Sequence, residues 1–219
     1  MVEREYTNGP SPALLLISDS ESETVRIGNA MGHALRTGDT VLLSGDLGAG
    51  KTRLVHGMAE AIESPVPARS PTFVIVNEYP GRLNLSHCDL YRIGSPAEVE
   101  ELALDERLRE GALVVEWPEI GAQILPEDVL FLKLTNGDHE EQRVITFTPT
   151  GPKSAGLLSR SAAVFEALDA TVGLESSANE KGRISDSCNY RHLDSSCRCR
   201  GNERRRSQSL SQLAIKSEP

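Results

Sequence analysis

Between the apolar run VLLS (41–44) and the segment RLVHGMAEAI (53–62) stands GDLGAGKT (45–52), which matches G-x-x-x-x-G-K-[ST] at every fixed position. No other stretch narrows the fold so much. Its glycines let the backbone bend around an anion and turn several N–H groups inward. A following helix aims the positive end of its dipole at the phosphates, Lys51 reaches the β and γ oxygens, and the Thr52 hydroxyl coordinates Mg2+. The motif requires a buried strand before it and a helix after it, and the flanking residues supply both. The loop therefore predicts an α/β domain that holds a nucleotide through Asp46, Leu47, Gly48, Ala49, Gly50, Lys51 and Thr52.

The rest of the first 150 residues alternates strand-like and helix-like patterns. ALLLIS (13–18) reads as a strand. A helix follows it, with Ser20 and Glu23 at the spacing of a capping box and Gly38 as a stop. TVLLSG is the buried strand feeding the loop, and residues 51–63 are the helix leaving it. PTFVIVNEY and NLSHCDLY flank Pro80-Gly81-Arg82-Leu83 as an antiparallel pair. SPAEVEELALDERLREG is one or two short helices with Ser95 as cap and Pro96 at the first helical position. ALVVEW is a second buried strand, and DVLFLKLT with QRVITFTP forms a terminal hairpin around NGDHEE. These elements define a three-layer P-loop NTPase domain over 1–150, with a mixed, mostly parallel central sheet.

After Gly151-Pro152 the composition changes. A helix candidate, LLSRSAAVFEALDATVG, precedes a long stretch dominated by Ser, Arg, Glu, Asn and Cys. Too little apolar area is available there to offset the ordering entropy, so 151–219 is expected to be a largely disordered extension. Its Cys188, His192, Cys197 and Cys199 do not form a familiar zinc spacing and read as reduced cysteines, since only Cys88 lies in the first 150 residues. Arg204, Arg205 and Arg206 are too few charges to define an RNA contact.

Charge excludes one class of function. Residues 1–150 carry 12 Lys and Arg against 24 Asp and Glu, a balance of −12, whereas 151–219 carry 11 against 8, a balance of +3. Affinity for a polyanion comes largely from Lys and Arg displacing counterions, so an acidic domain is no nucleic-acid binder through its bulk field. RNA, if involved, is contacted indirectly, through partner subunits. No apolar window reaches membrane-spanning length and the first residues are polar and charged, so the expectation is a soluble, cytoplasmic protein.

A triphosphate site also needs an acid for the metal and a group to place the nucleophile. Asp89 in HCDLYR and Glu116 in LVVEWPE lie at the ends of two later strands, and VVEW has the form of a Walker B element. There is no N-K-x-D base-reading motif, as a Ras-type GTPase would have, and no LSGGQ signature, as an ABC ATPase would have. A kinase lid would be rich in arginine, but the region after Asp89 offers only Arg92, then Arg107 and Arg109, which leaves the site to be completed by a partner.

GDLGAGKT, then SPTF (70–73), HCDLYR (87–92) and VEWPE (115–119), in this order and at these distances, closely resemble the TsaE (YjeE) family of bacterial ATPases over roughly residues 14–150. The resemblance implies an ATPase that helps form N6-threonylcarbamoyladenosine at tRNA position 37. It binds TsaD and TsaB counterparts, and ATP hydrolysis resets their complex between turnovers. It also implies ATP and Mg2+ as cofactors, Thr52 and Glu116 as metal ligands and Lys51 as the phosphate lysine. Asp89 becomes the acid that arranges water on the metal or the nucleophile. Trp117 is placed in the nucleotide site or at the sheet end, Ser70 and Thr72 in a mobile switch loop, and the adenine near residues 21–24. From the residues themselves two other readings stay open: a small-molecule kinase with Asp89 as general base, and a binding module in which ATP occupancy rather than turnover changes partner affinity.

Overall fold

The computed structural model describes residues 13–68, 74–177 and 190–191. The SPTF segment with Ser70 and Thr72, and Cys188, His192, Cys197, Cys199, Arg204, Arg205 and Arg206, lie outside the described residues.

The chain enters as β1 (Leu14–Ser18) and α1 (Glu21–Ala34), continues through β2 (Thr40–Ser44) into α2 (Lys51–Ala61), and forms the pair β3 (Val76–Tyr79) and β4 (Asn84–Asp89). Two short helices, α3 (Pro96–Glu100) and α4 (Leu104–Glu110), lead to β5 (Gly111–Glu116) and a 3-10 turn at Pro118–Gly121. The hairpin β6 (Leu130–Asn136) and β7 (Arg143–Pro149) follows, then α5 (Pro152–Ser177) and a two-residue strand β8 (Tyr190–Arg191).

The strands form one sheet in the order β3-β4-β5-β2-β6-β7-β1-β8. β4, β5, β2 and β6 run parallel at its centre, while β3 on one side and β7, β1 and β8 on the other pair antiparallel. The mixed sheet expected from sequence is therefore observed. Its parallel part is the buried centre, where strands with apolar residues on both faces can only survive under helices.

Alternation along the central strands sorts their side chains into two cores. Val41, Leu43, Leu85 and Val114 pack with α1, α2 and α5, whereas Leu42, Leu113, Val115 and Phe131 pack beneath α3 and α4. This produces the three layers and leaves the C-terminal ends of β2, β4 and β5 side by side.

Several local signals act as read. Ser20 caps α1, its Oγ accepting the Glu23 N–H at 3.2 Å. The Glu23 carboxylate reaches back one residue further than in a standard capping box, to the Asp19 N–H at 2.7 Å. Ser95 precedes Pro96 as expected, but its hydroxyl donates to Glu98 Oε1 at 2.8 Å and makes no bond to a helix N–H.

The helix after residue 151 joins the body of the domain. α5 lays Leu157, Leu158 and Phe165 into the α1/α2 core, so the packed structure extends past the composition change at 151. Its first turn is capped from a distance, with Asp128 accepting from the N–H groups of Lys153 and Ser154 at 2.8 Å each. Burial pushes the Asp128 carboxyl up, but the bonds from Ser154 and Lys153 outweigh it and hold the group below the usual carboxylate range. Arg160 then donates to the Ala34 carbonyl at 3.0 Å and to Asp39, a carboxylate only 3% exposed, at 2.8 Å. Among the described residues, replacing Arg160→Ala leaves the Asp39 carboxylate one donor, the Arg36 N–H, and it removes the clamp of α5 on the end of α1. We expect urea denaturation to show a loss of about 1.5–3 kcal/mol, the range for hydrogen bonds to charged groups.

Candidate functional site

The loop after β2 turns on glycines in left-handed or related geometry. Gly45 has φ 146°, Gly48 83° and Gly50 98°. At Gly45 a Cβ would stand 2.3 Å from the Leu134 carbonyl oxygen, so the residue is required both by its angle and by the approach of β6. Gly50 is the N-cap of α2, whose first residues are Lys51 and Thr52, and Leu47 projects 83% exposed at the loop tip.

Three strand ends bring the acids to this loop. β5 lies between β2 and β4, with Leu43 opposite Glu116 and Asp89 also opposite Glu116 in the parallel registers. Glu116, 3% exposed, accepts at Oε1 from the Thr52 hydroxyl at 3.0 Å and faces His87 Nε2 at 2.9 Å. Asp89 Oδ1 accepts the Tyr91 N–H at 3.0 Å. Lys51 Nζ donates to the carbonyls of Gly45 at 2.6 Å and Asp46 at 3.0 Å.

Trp117 follows Glu116 with φ 56° and ψ 54°, a left-handed conformation that bulky side chains rarely adopt, and its N–H bonds the Leu43 carbonyl at 3.1 Å. That bend ends β5 and sets the indole beside the loop, with its ring 4.0 Å from Lys51 Nζ and 5.0 Å from the Tyr91 ring. A cleft of about 460 Å³ results, lined by residues 47–53 together with Asp89, Tyr91, Arg92, Glu116 and Trp117. Of the residues singled out from sequence, Asp46 meets the site through its carbonyl. Residues 21–24 open α1 next to the loop, where Glu21 pairs with Arg53 at 3.0 Å and Thr24 adjoins Gly50.

The site is electrostatically loaded. Burial lowers the Lys51 ammonium from its ordinary value, against the opposing charges of Glu116, Asp89, Glu119 and Asp46. Burial likewise raises the Asp89 carboxyl, the nearby Glu116 charge adds to this, and the Tyr91 N–H opposes it. An acid whose folded pKa lies above its unfolded value of about 3.9 loses stability as pH rises through that window, because the unfolded chain releases the proton first. Asp89→Asn should therefore melt higher than the parent at pH 7 in the absence of nucleotide, the difference closing as pH falls below the ordinary carboxylate range. Thermal unfolding across pH reads this directly, and a less stable variant at pH 7 would refute it.

Sequence reading gave no role to His87, Tyr91 or Arg53, although each stands close to a residue it did single out, and it weighed Arg92 only as part of a thin lid. His87 was legible in principle. It lies two residues before Asp89 on a strand, hence on the same face, in a stretch otherwise chosen for burial.

Fold and site together define a P-loop α/β protein with paired strand-end acids. The family model for "Threonylcarbamoyl adenosine biosynthesis protein TsaE" matches residues 18–145, and the chain belongs to the TsaE family. Similar proteins named tRNA threonylcarbamoyladenosine biosynthesis protein TsaE occur in Nostoc sp., 39% identical over 141 residues (62% of this chain, 85% of the relative). Another is found in Streptomyces coelicolor, 40% identical over 136 residues (59% and 92%). A crystal structure of Bacillus subtilis YdiB is similar with a TM-score of 0.58 and 30% identity, covering 68% of this chain and 94% of that one.

Proposed function

We propose that this chain is the ATP-hydrolysing component of tRNA N6-threonylcarbamoyladenosine synthesis, acting on a complex of TsaD and TsaB counterparts and resetting it between turnovers. The observation that carries the reading is the convergence of Lys51, Thr52, Asp89 and Glu116 on one cleft in a member of the TsaE family.

ATP enters with its phosphates against the inward N–H groups of residues 46–52 and the N-terminus of α2. Lys51 sits beside the loop carbonyls and moves onto the phosphate oxygens. The oxygen donors of Thr52 and Glu116, already hydrogen-bonded to each other, suit a hard divalent cation, and Asp89 adjoins them in register. These residues would hold Mg2+, which when bound neutralises charge on the phosphates. The raised Asp89 carboxyl orients the attacking water, and Trp117 and Tyr91 wall the cleft.

Of the cations lining the cleft, Arg53 is paired with Glu21, which supports a slow activity alone and completion of the site by a partner. Among the described residues no helix is long and apolar enough to cross a membrane, and we place the protein in the cytoplasm with its tRNA-modifying partners.

The test is reconstitution with TsaD and TsaB counterparts and tRNA, counting modified tRNAs per complex. Many turnovers with ATP and no more than one with a non-hydrolysable analogue support the proposal. Sustained turnover with the analogue would replace hydrolysis by nucleotide occupancy.

A further inference from the structure

We infer that His87 is a positioning residue that pins the Glu116 carboxylate for a divalent cation; this rests on the reading of Glu116 as a metal-holding acid. His87 is wholly buried on β4, on the face it shares with Leu85 and Asp89, and its Nε2 lies 2.9 Å from Glu116 Oε1. A carboxylate only accepts, so Nε2 carries the hydrogen and donates it. Glu116 Oε1 thus takes two donors, His87 from one side and Thr52 at 3.0 Å from α2. Among the described residues no donor reaches Oε2, so one oxygen is fixed and the other is left for a cation. The Tyr79 ring stacks on the imidazole with centroids 6.1 Å apart and fixes its plane.

A purely structural role fits this arrangement poorly. Among the described residues His87 Nδ1 is buried with no hydrogen-bond partner, a cost that a leucine in the same core position would not carry. Glu116 itself is a buried carboxylate that apolar packing would have avoided. What the pair supplies is a carboxylate held in one orientation at the end of β5. Outer-shell partners of metal-binding carboxylates act in this way, and their loss typically lowers metal affinity or activity by about 10- to 100-fold.

Side-chain isosterism separates positioning from packing. The Gln amide nitrogen falls where His Nε2 stands, whereas the Asn amide nitrogen falls where Nδ1 stands. In the full chain, His87→Gln should keep Mn2+ affinity, read by electron paramagnetic resonance in the presence of ADP, within a few-fold of the parent. His87→Asn and His87→Leu should lose about 10- to 100-fold in Mn2+ affinity and in kcat for ATP hydrolysis, with KM for ATP little changed. Equal behaviour of the Gln and Asn variants, or parental Mn2+ affinity in the Leu variant, overturns the inference.

If the variants do not fold, long-range 1H–15N spectra of the parent chain decide the point. The hydrogen on Nε2, with ring signals that shift in Glu116→Gln, supports the assignment, and a hydrogen on Nδ1 alone overturns it. Absence of metal-dependent nucleotide binding in the parent would instead overturn the proposed function, while the ring spectra would still report whether His87 pins Glu116.

Discussion

Glu116→Gln is expected to lower ATP hydrolysis by about 10²- to 10³-fold while ADP still binds, the magnitude found when one group aimed at developing charge is removed from a preorganised site. Gln matches Glu in size and keeps an oxygen for the bonds from Thr52 and His87, so the end of β5 should hold its shape. What disappears is the negative charge that a divalent cation needs. Lys51→Ala should differ in kind. The ammonium is the cation placed at the loop mouth, and its loss should weaken nucleotide binding as well as turnover. The two variants can be separated with the chain's single tryptophan, because Trp117 lies 4.0 Å from Lys51 Nζ and reports on the cleft by fluorescence. Phosphate release gives the rates. Parental hydrolysis by Glu116→Gln would remove that acid from the chemistry and with it the proposed metal site.

The largest stability effect should come from a methyl group at the crossing of α1 and α2. A Cβ on Gly28 would stand 2.0 Å from the Leu54 carbonyl oxygen, and one on Gly57 2.0 Å from the Val25 carbonyl oxygen. Both obstacles are backbone, so neither can swing aside, and the helices must separate. In an open helix, Gly→Ala would gain up to about 1 kcal/mol from propensity. Here overpacking reverses the sign. A loss at or above the usual 1–3 kcal/mol for forced core insertions is expected, at about 2–4 °C of Tm per kcal/mol for a chain of this size. Because α2 begins at Lys51, the same displacement should reduce hydrolysis. Gly94→Ala, in the loop before α3, is the control, since the nearest atom to its Cβ is Glu98 Oε1 at 3.5 Å, an ordinary contact distance. A melting point for Gly28→Ala at or above the parent's would refute the close-packing argument.

Local rules made most of the fold legible. Ser20 announced α1, the continuous apolar runs in TVLLS and ALVVE announced buried strands, and the Pro-Gly turn announced the β3–β4 pair. Each of those signals is contained in a few consecutive residues. The same holds for the loop, whose glycines must take positive φ before any partner is present. What could not be read were effects carried by distant groups. The cap of α5 is Asp128, 25 and 26 residues from the N–H groups it accepts. The helix looked like part of a polar extension because its partners, Ala34 and Asp39, lie more than a hundred residues earlier.

The site divides along the same line. Residue types and spacing determined a phosphate loop with two acids at strand ends, since that chemistry needs a flexible backbone, an ammonium, a hydroxyl and carboxylates wherever the fold places them. Only the strand order decided that Asp89 and Glu116 are register partners next to the loop, and that the buried imidazole of His87 meets the same carboxylate oxygen as Thr52. Parallel pairing fixes such neighbours through bonds between strands far apart in sequence, and no local preference encodes it.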